Sequence, residues 1–99
     1  MSLWVQVGDG GVLSLRGEFD LAETHNFEAA AEALLDGQRE IVLDLTELTF
    51  LDSSGIRAIV DLSKRVEPRP VVIRNADGSV AKVLDIVNIE QPGHIRIER

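Results

Sequence analysis

Two short runs, Ile41-Val42-Leu43-Asp44-Leu45 and Val71-Val72-Ile73, are nearly continuous in apolarity, and the stretch between them repeats apolar residues at helical spacing. Runs of this kind are expected of strands buried on both faces, as in parallel sheets. Parallel neighbours need a crossover of a dozen or more residues, and such crossovers are right-handed in nearly all cases. No other feature constrains the fold as strongly. The flanking sequence extends the pattern. Leu3 to Val7 and Val12 to Arg16 read as two strands, and the glycines of Gly8-Asp9-Gly10-Gly11 between them tolerate positive φ, which predicts a hairpin.

Asp20-Leu21-Ala22-Glu23 predicts a capping-box-like helix start. Behind it Phe27, Ala30, Ala31 and Leu34 recur at helical spacing until Gly37 closes the segment. Thr46 to Asp52 is expected to be a connecting loop carrying Leu48, Phe50 and Leu51. The next helix begins near Ser53, with Ile56, Ile59, Val60 and Ser63 on one stripe and Asp61 four residues before Arg65. Pro68 and Pro70 end it. In the third helix Val80, Val83, Leu84 and Val87 follow the i, i+3, i+4, i+7 pattern, and Asn88 and Pro92-Gly93 terminate it. Ile95-Arg96-Ile97 alternates as a last strand. The expected architecture is α/β, in the order ββαβαβαβ: a small mixed sheet with parallel central strands and helices packed over it.

The 99 residues leave room for one domain, taken as residues 1–99. The absence of cysteine excludes a disulfide framework, a thiolate nucleophile and a zinc-finger ligand set. No apolar run approaches the ~20 residues that would span a membrane, and the N-terminus lacks a basic region followed by an apolar stretch. A cytoplasmic protein without a membrane partner is expected. Charge is unevenly spread. Residues 1–54 hold eleven of the seventeen acids and only Arg16 and Arg39 as bases, a balance of −9, whereas residues 55–99 carry +2. Such acidity argues against a nucleic-acid partner, which needs clustered Lys and Arg. It fits a basic protein partner as well as it fits solubility alone.

Catalytic chemistry finds little support. There are only two histidines, His25 and His94, neither at metal-site spacing from another ligand, and Ser53 and Ser54 lack a sequence-local base. Asp-Ser-Ser-Gly is not the G-x-S-x-G elbow that exposes a nucleophile. The glycines at 8, 10 and 11 join two strands, whereas a phosphate-cradling loop leads into a helix. Neither enzymatic activity, cofactor nor metal is expected.

The informative segment is Leu48-Thr49-Phe50-Leu51-Asp52-Ser53-Ser54-Gly55-Ile56, which runs from a strand into a helix start. Asp52 or Ser53 can cap that helix by accepting hydrogen bonds from its free N–H groups. The same geometry suits a phosphoacceptor, because a serine phosphate there meets the positive end of the helix dipole and adds ~1.5 to 2 negative charges. Both readings stand on the residues alone.

At this segment the sequence resembles the STAS domain, and more closely the bacterial anti-sigma factor antagonists. Asp52-Ser53-Ser54-Gly55-Ile56 after Leu43-Asp44-Leu45 and Phe50-Leu51 looks like the family signature. Gly17-Glu18-Phe19-Asp20 is similar to the family's Gly-Glu-Leu-Asp element, and Val71-Val72-Ile73-Arg74-Asn75, with Ser79-Val80 and Lys82-Val83-Leu84, to its fourth strand and third helix. The resemblance covers about residues 3 to 98.

It implies that Ser53 is phosphorylated by a serine-kinase anti-sigma factor, an ATP-binding partner. The unphosphorylated antagonist binds this kinase and frees the sigma factor, and the phosphorylated form lets go. A PP2C-type phosphatase would reset the switch. Asp52, Ser54 and Gly55 would shape the acceptor loop, with Ser54 a helix-start residue rather than a second site. Glu18 and Asp20 would lie near the kinase-facing surface, and Asp20 can also be the N-cap of its helix. STAS-like subunits also serve, unphosphorylated, as structural parts of larger complexes such as lipid transporters. A monomer or weak dimer is expected.

Three departures stand out. Asn88 replaces a frequent helix-ending glycine, a substitution that left-handed caps tolerate. Arg57 stands where a small residue is frequent, and pairing with a phosphate, adjustment of partner choice and simple solvation are all open for it. The C-terminal helix common in the family is expected to be absent or very short.

Overall fold

The computed structural model describes residues 2–37, 39–90 and 94–98. Its strands are β1 (Leu3–Val7), β2 (Val12–Phe19), β3 (Ile41–Leu51), β4 (Val71–Arg74) and β5 (Ile95–Glu98). The helices are α1 (Thr24–Ala31), α2 (Ser53–Arg65) and α3 (Gly78–Ile86), with short 3₁₀ turns at Leu21–Glu23 and Glu32–Leu34 on either side of α1. The strands form one sheet in the order β1-β2-β3-β4-β5. β1 pairs antiparallel with β2, and every other neighbouring pair is parallel. The expected mixed sheet and element order are therefore present.

Alternate strand residues (Leu3, Leu13, Leu15, Ile41, Leu43, Leu45, Val71, Ile73 and Ile95) share one buried cluster with Phe27 of α1, Ile59 and Leu62 of α2, and Val80 and Leu84 of α3. All three helices thus lie on one face of the sheet. Right-handed crossovers that step in one direction, from β2 through β5, require this.

The opposite face explains the uninterrupted apolar runs. Val72 is fully buried there although no helix covers it. Arg96 is the register partner of Val72 and forms a 3.2 Å ion pair with Glu40, which precedes β3 on the far side of β4. Its aliphatic stem therefore crosses β4 over Val72 while the charged head stays in water. Arg74 and Glu98 pair beside it at 2.9 Å.

Several local expectations change. Thr46 to Asp52 is not a loop, because β3 continues to Leu51 and β2 continues to Phe19 beside it in parallel. Register shifts at Ser14/Arg16 and Gly17/Glu18 let the longer strands stay paired, and Gly17 takes a φ of 102° that favours glycine. The capping box at Asp20 does not close. The Glu23 carboxylate instead accepts from the Leu3 N–H at 3.0 Å, tying the first helical segment to the edge strand.

On α2 the fully buried positions are Gly55, Ala58, Ile59, Leu62 and Ser63, while Ile56 and Val60 are only partly covered. Arg65 pairs with Glu32 at 3.5 Å rather than with Asp61. α3 ends at Ile86, leaving Val87 exposed, and Asn88 has a φ of 53°, the left-handed conformation expected of it. The expected terminator Pro92-Gly93 lies outside the described residues. The hairpin forms as expected, with Gly10 and Gly11 at positive φ and the Gly8 N–H donating to the Val12 carbonyl at 2.8 Å.

Candidate functional site

The extended pairing of β2 with β3 builds the site. Glu18 is set opposite Phe50 and Phe19 opposite Leu51, so the two strands end together. The Asp52 N–H donates to the Phe19 carbonyl at 3.3 Å, which brings Asp20 and Asp52, the residues that leave each strand, side by side. Each carboxylate then caps the helical turn after its own strand. Asp20 accepts from the Ala22 N–H at 3.1 Å. Asp52 accepts from the N–H groups of Ser54 at 2.9 Å and Gly55 at 3.1 Å. The cap of α2 is thus Asp52 and not Ser53, and one carboxylate serves two of the helix's orphan donors.

Ser53 is the first residue of α2 and is exposed. Its hydroxyl is not used by the cap, and it sits at the positive end of the helix dipole. Gly55 seats this turn on the sheet. A Cβ there would stand 2.5 Å from Leu51 Cδ1 and 3.0 Å from both Phe19 Cγ and the Phe19 carbonyl oxygen. Phe19 in turn packs on Phe27 of α1, ring centroids 5.0 Å apart. The turn that carries Ser53 rests on the core rather than on a free loop.

All seven residues singled out in the sequence fall at this one end of the sheet. Glu18 and Asp20 come from the end of β2, Asp52 from the end of β3, and Ser53, Ser54, Gly55 and Arg57 from the start of α2. Arg57 is exposed one turn beyond Ser53. A groove of about 230 Å³ opens between α2 and the Leu21 turn, with Leu21, Glu28, Ser54, Arg57 and Asp61 on its walls. Two apolar residues of this surface were not anticipated: Leu21, 71% exposed, and Phe50, 39% exposed. Phe50 did carry a signal, since it stands between the buried Leu48 and Leu51 with a side chain the core does not use.

Asp44 belongs to a separate arrangement. Hydrogen bonds from the Thr46 hydroxyl and N–H, joined by the Asn75 amide, hold its carboxyl below the ordinary carboxylate value against the opposing effect of burial. Asn75 reaches it from a left-handed conformation, φ 64°, at the end of β4. Among the described residues no group of three or more His, Asp or Glu is placed to hold a metal ion. None of their helices is long and apolar enough to cross a membrane.

Fold and site together define a small α/β module that displays a capped, serine-bearing helix start where two parallel strands end. The chain belongs to the STAS family: the family model described as "Mlab, STAS domain" matches residues 5–97. A STAS-domain-containing protein of Pseudomonas aeruginosa is 31% identical over 81 residues, 80% of each chain. Among solved structures, an anti-sigma factor antagonist from Mycobacterium paratuberculosis superimposes with a TM-score of 0.73 at 23% identity, covering 96% of this chain and 84% of that one. The phosphorylated form of the Bacillus cell-fate determinant SpoIIAA does so with a TM-score of 0.65 at 15% identity, over 99% and 92%.

Proposed function

We propose that the protein is a cytoplasmic anti-sigma factor antagonist, a binding module without catalysis of its own, switched by phosphorylation of Ser53. The observation that carries this reading is the placement of Ser53: exposed, first in α2, on a turn that Asp52 caps and Gly55 seats against Phe19 and Leu51. A kinase active site can take such a hydroxyl without unfolding anything. In the transfer, Ser53 Oγ attacks the γ-phosphorus of ATP, the bond to the β–γ bridging oxygen breaks, and the hydroxyl proton leaves to a base of the kinase. The products are phosphoserine and ADP. Around Ser53 the exposed Leu21 and Phe50 offer apolar contact, and Glu18, Asp20 and Asp52 offer negative charge to a basic partner. A phosphate adds ~1.5 to 2 further negative charges at the centre of that surface and expels a partner fitted to the neutral hydroxyl. A PP2C-type phosphatase then restores binding.

Incubation with the host's serine-kinase anti-sigma factor and ATP, read by intact mass and peptide mapping, tests the assignment. One phosphoryl group is expected, at Ser53, and none in Ser53→Ala. Phosphate that persists in Ser53→Ala overturns the site. Co-purification with transporter subunits and no ATP-binding kinase would instead favour the structural STAS subunit.

A further inference from the structure

We infer that Arg57 is the cation that receives a phosphate on Ser53, so that the phosphorylated helix start is held by an ion pair along one turn of α2. This rests on the reading of Ser53 as the phosphoacceptor. Three observations converge on it.

Two of the backbone donors that would normally greet an anion at this helix start are already taken. Asp52 occupies the N–H groups of both Ser54 and Gly55, which leaves a phosphate on Ser53 only that residue's own N–H in the first turn and gives a nearby side-chain cation more to compensate. Next, Arg57 lies four residues beyond Ser53 on an α-helix. Side chains on a helix lean toward its N-terminus, so the patch around residue i is covered from i+4. Finally, Arg57 is uncommitted where five other arginines are not. Arg16 lies over Trp4, Arg65 pairs with Glu32, Arg69 donates to the carbonyls of Arg39 and Leu34, Arg74 pairs with Glu98, and Arg96 with Glu40. No carboxylate stands within ion-pair distance of Arg57 among the described residues. Asp61, one turn on, is in the less favourable order for a pair with it. The charged groups that line the groove with it are Glu28 and Asp61, both acidic, and the neighbouring strand ends add Glu18, Asp20 and Asp52.

The consequence is that phosphorylation inverts the role of Arg57. Before modification it is a solvated positive charge beside an acidic docking surface. Afterwards it is drawn onto the phosphate, favouring the dianion and leaving the partner to meet an unrelieved ring of acids.

The test uses the full chain with phosphoserine installed at position 53 during synthesis, so that no kinase is needed. Titration of the phosphate by ³¹P NMR should give a second pKa lower by roughly 0.15–0.4 units than in Arg57→Gln, the size expected of an i, i+4 ion pair. Arg57→Lys should retain most of the difference, and about 1 M salt should remove it. Arg57 is exposed, so the variants should fold; matching amide spectra establish that they have. Identical phosphate pKa values in the wild type and Arg57→Gln overturn the inference. A kinase that ignores Ser53 would overturn the proposed function instead, without altering this titration.

Discussion

α2 and α3 both start with an aspartate followed closely by an exposed serine, yet only one start is built as a platform. At α2, Asp52 hydrogen-bonds two backbone donors and Gly55 brings the first turn into contact with Phe19 and Leu51. At α3, the Asp77 carboxylate makes no capping bond, and Gly78 has a φ of 55° with nothing within 4 Å of where its Cβ would be. Ser79 is exposed, as Ser53 is, so exposure does not distinguish them. What differs is support from below and the acidic residues that β2 delivers alongside α2. An Asp-Ser pair at a helix start is common chemistry. A serine that a partner can recognise in one fixed position is rarer, and here it depends on β2 and β3 ending together.

The largest expected contrast is in phosphoryl transfer. Ser53→Ala should abolish incorporation by the serine-kinase anti-sigma factor, whereas Ser79→Ala should leave it at the wild-type level. Labelling of Ser79 would erase the distinction between the two starts.

Stability should separate them next. Gly55→Ala forces a methyl into Leu51 and the Phe19 backbone and should cost about 1–3 kcal/mol. Gly78→Ala meets open space and should cost only the left-handed backbone strain, about 1 kcal/mol. Urea unfolding of the two variants gives the order, and an equal loss would mean that Gly55 is not a close-approach position. A smaller contrast is expected of the caps. Asp52→Ala should lose about 1 kcal/mol, while Asp77→Ala, with no cap bond to lose, should change stability by no more than about 0.3–0.5 kcal/mol through the helix dipole.

The smallest effect lies away from both helix starts, at Asp44. Its carboxyl is held below its ordinary value by Thr46 and Asn75, so it binds protons less readily folded than unfolded. Its contribution is therefore fully present above the unfolded pKa of about 4 and fades as pH falls through the lower folded value. The difference in urea midpoint between wild type and Asp44→Asn should be constant from pH 6 to 8 and shrink toward pH 2. A difference independent of pH would remove the electrostatic part of that account.

Much of this architecture was legible in the residues. Ile41 to Leu45 and Val71 to Ile73 announced buried strands, and the hairpin glycines and the helical repeat at Val80, Val83 and Leu84 appeared in place. The misreadings share a cause. Thr46 to Leu51 lacks the continuous apolarity of Ile41 to Leu43, and its alternation is irregular because β3 carries two extra residues against β2, one between Asp44 and Glu47 and one between Leu48 and Phe50. A bulge exists only relative to the strand it pairs with, so it is a tertiary property, invisible in a single stretch of sequence. Glu23 looked like the closing residue of a capping box, but the β1 backbone supplied a competing donor from twenty residues away. The site residues were identified by motif. What no motif could convey was which carboxylate does the capping, that Leu21 and Phe50 join the surface, and that Arg57 has no carboxylate partner among the described residues.

In the proposed switch Ser53 controls a binding surface, and the most direct measurement compares two forms of one chain. Calorimetric titration of the serine-kinase anti-sigma factor should show binding to the unmodified protein and at least about tenfold weaker binding, some 1.4 kcal/mol, when phosphoserine occupies position 53. Equal affinity for the two forms would contradict the switch.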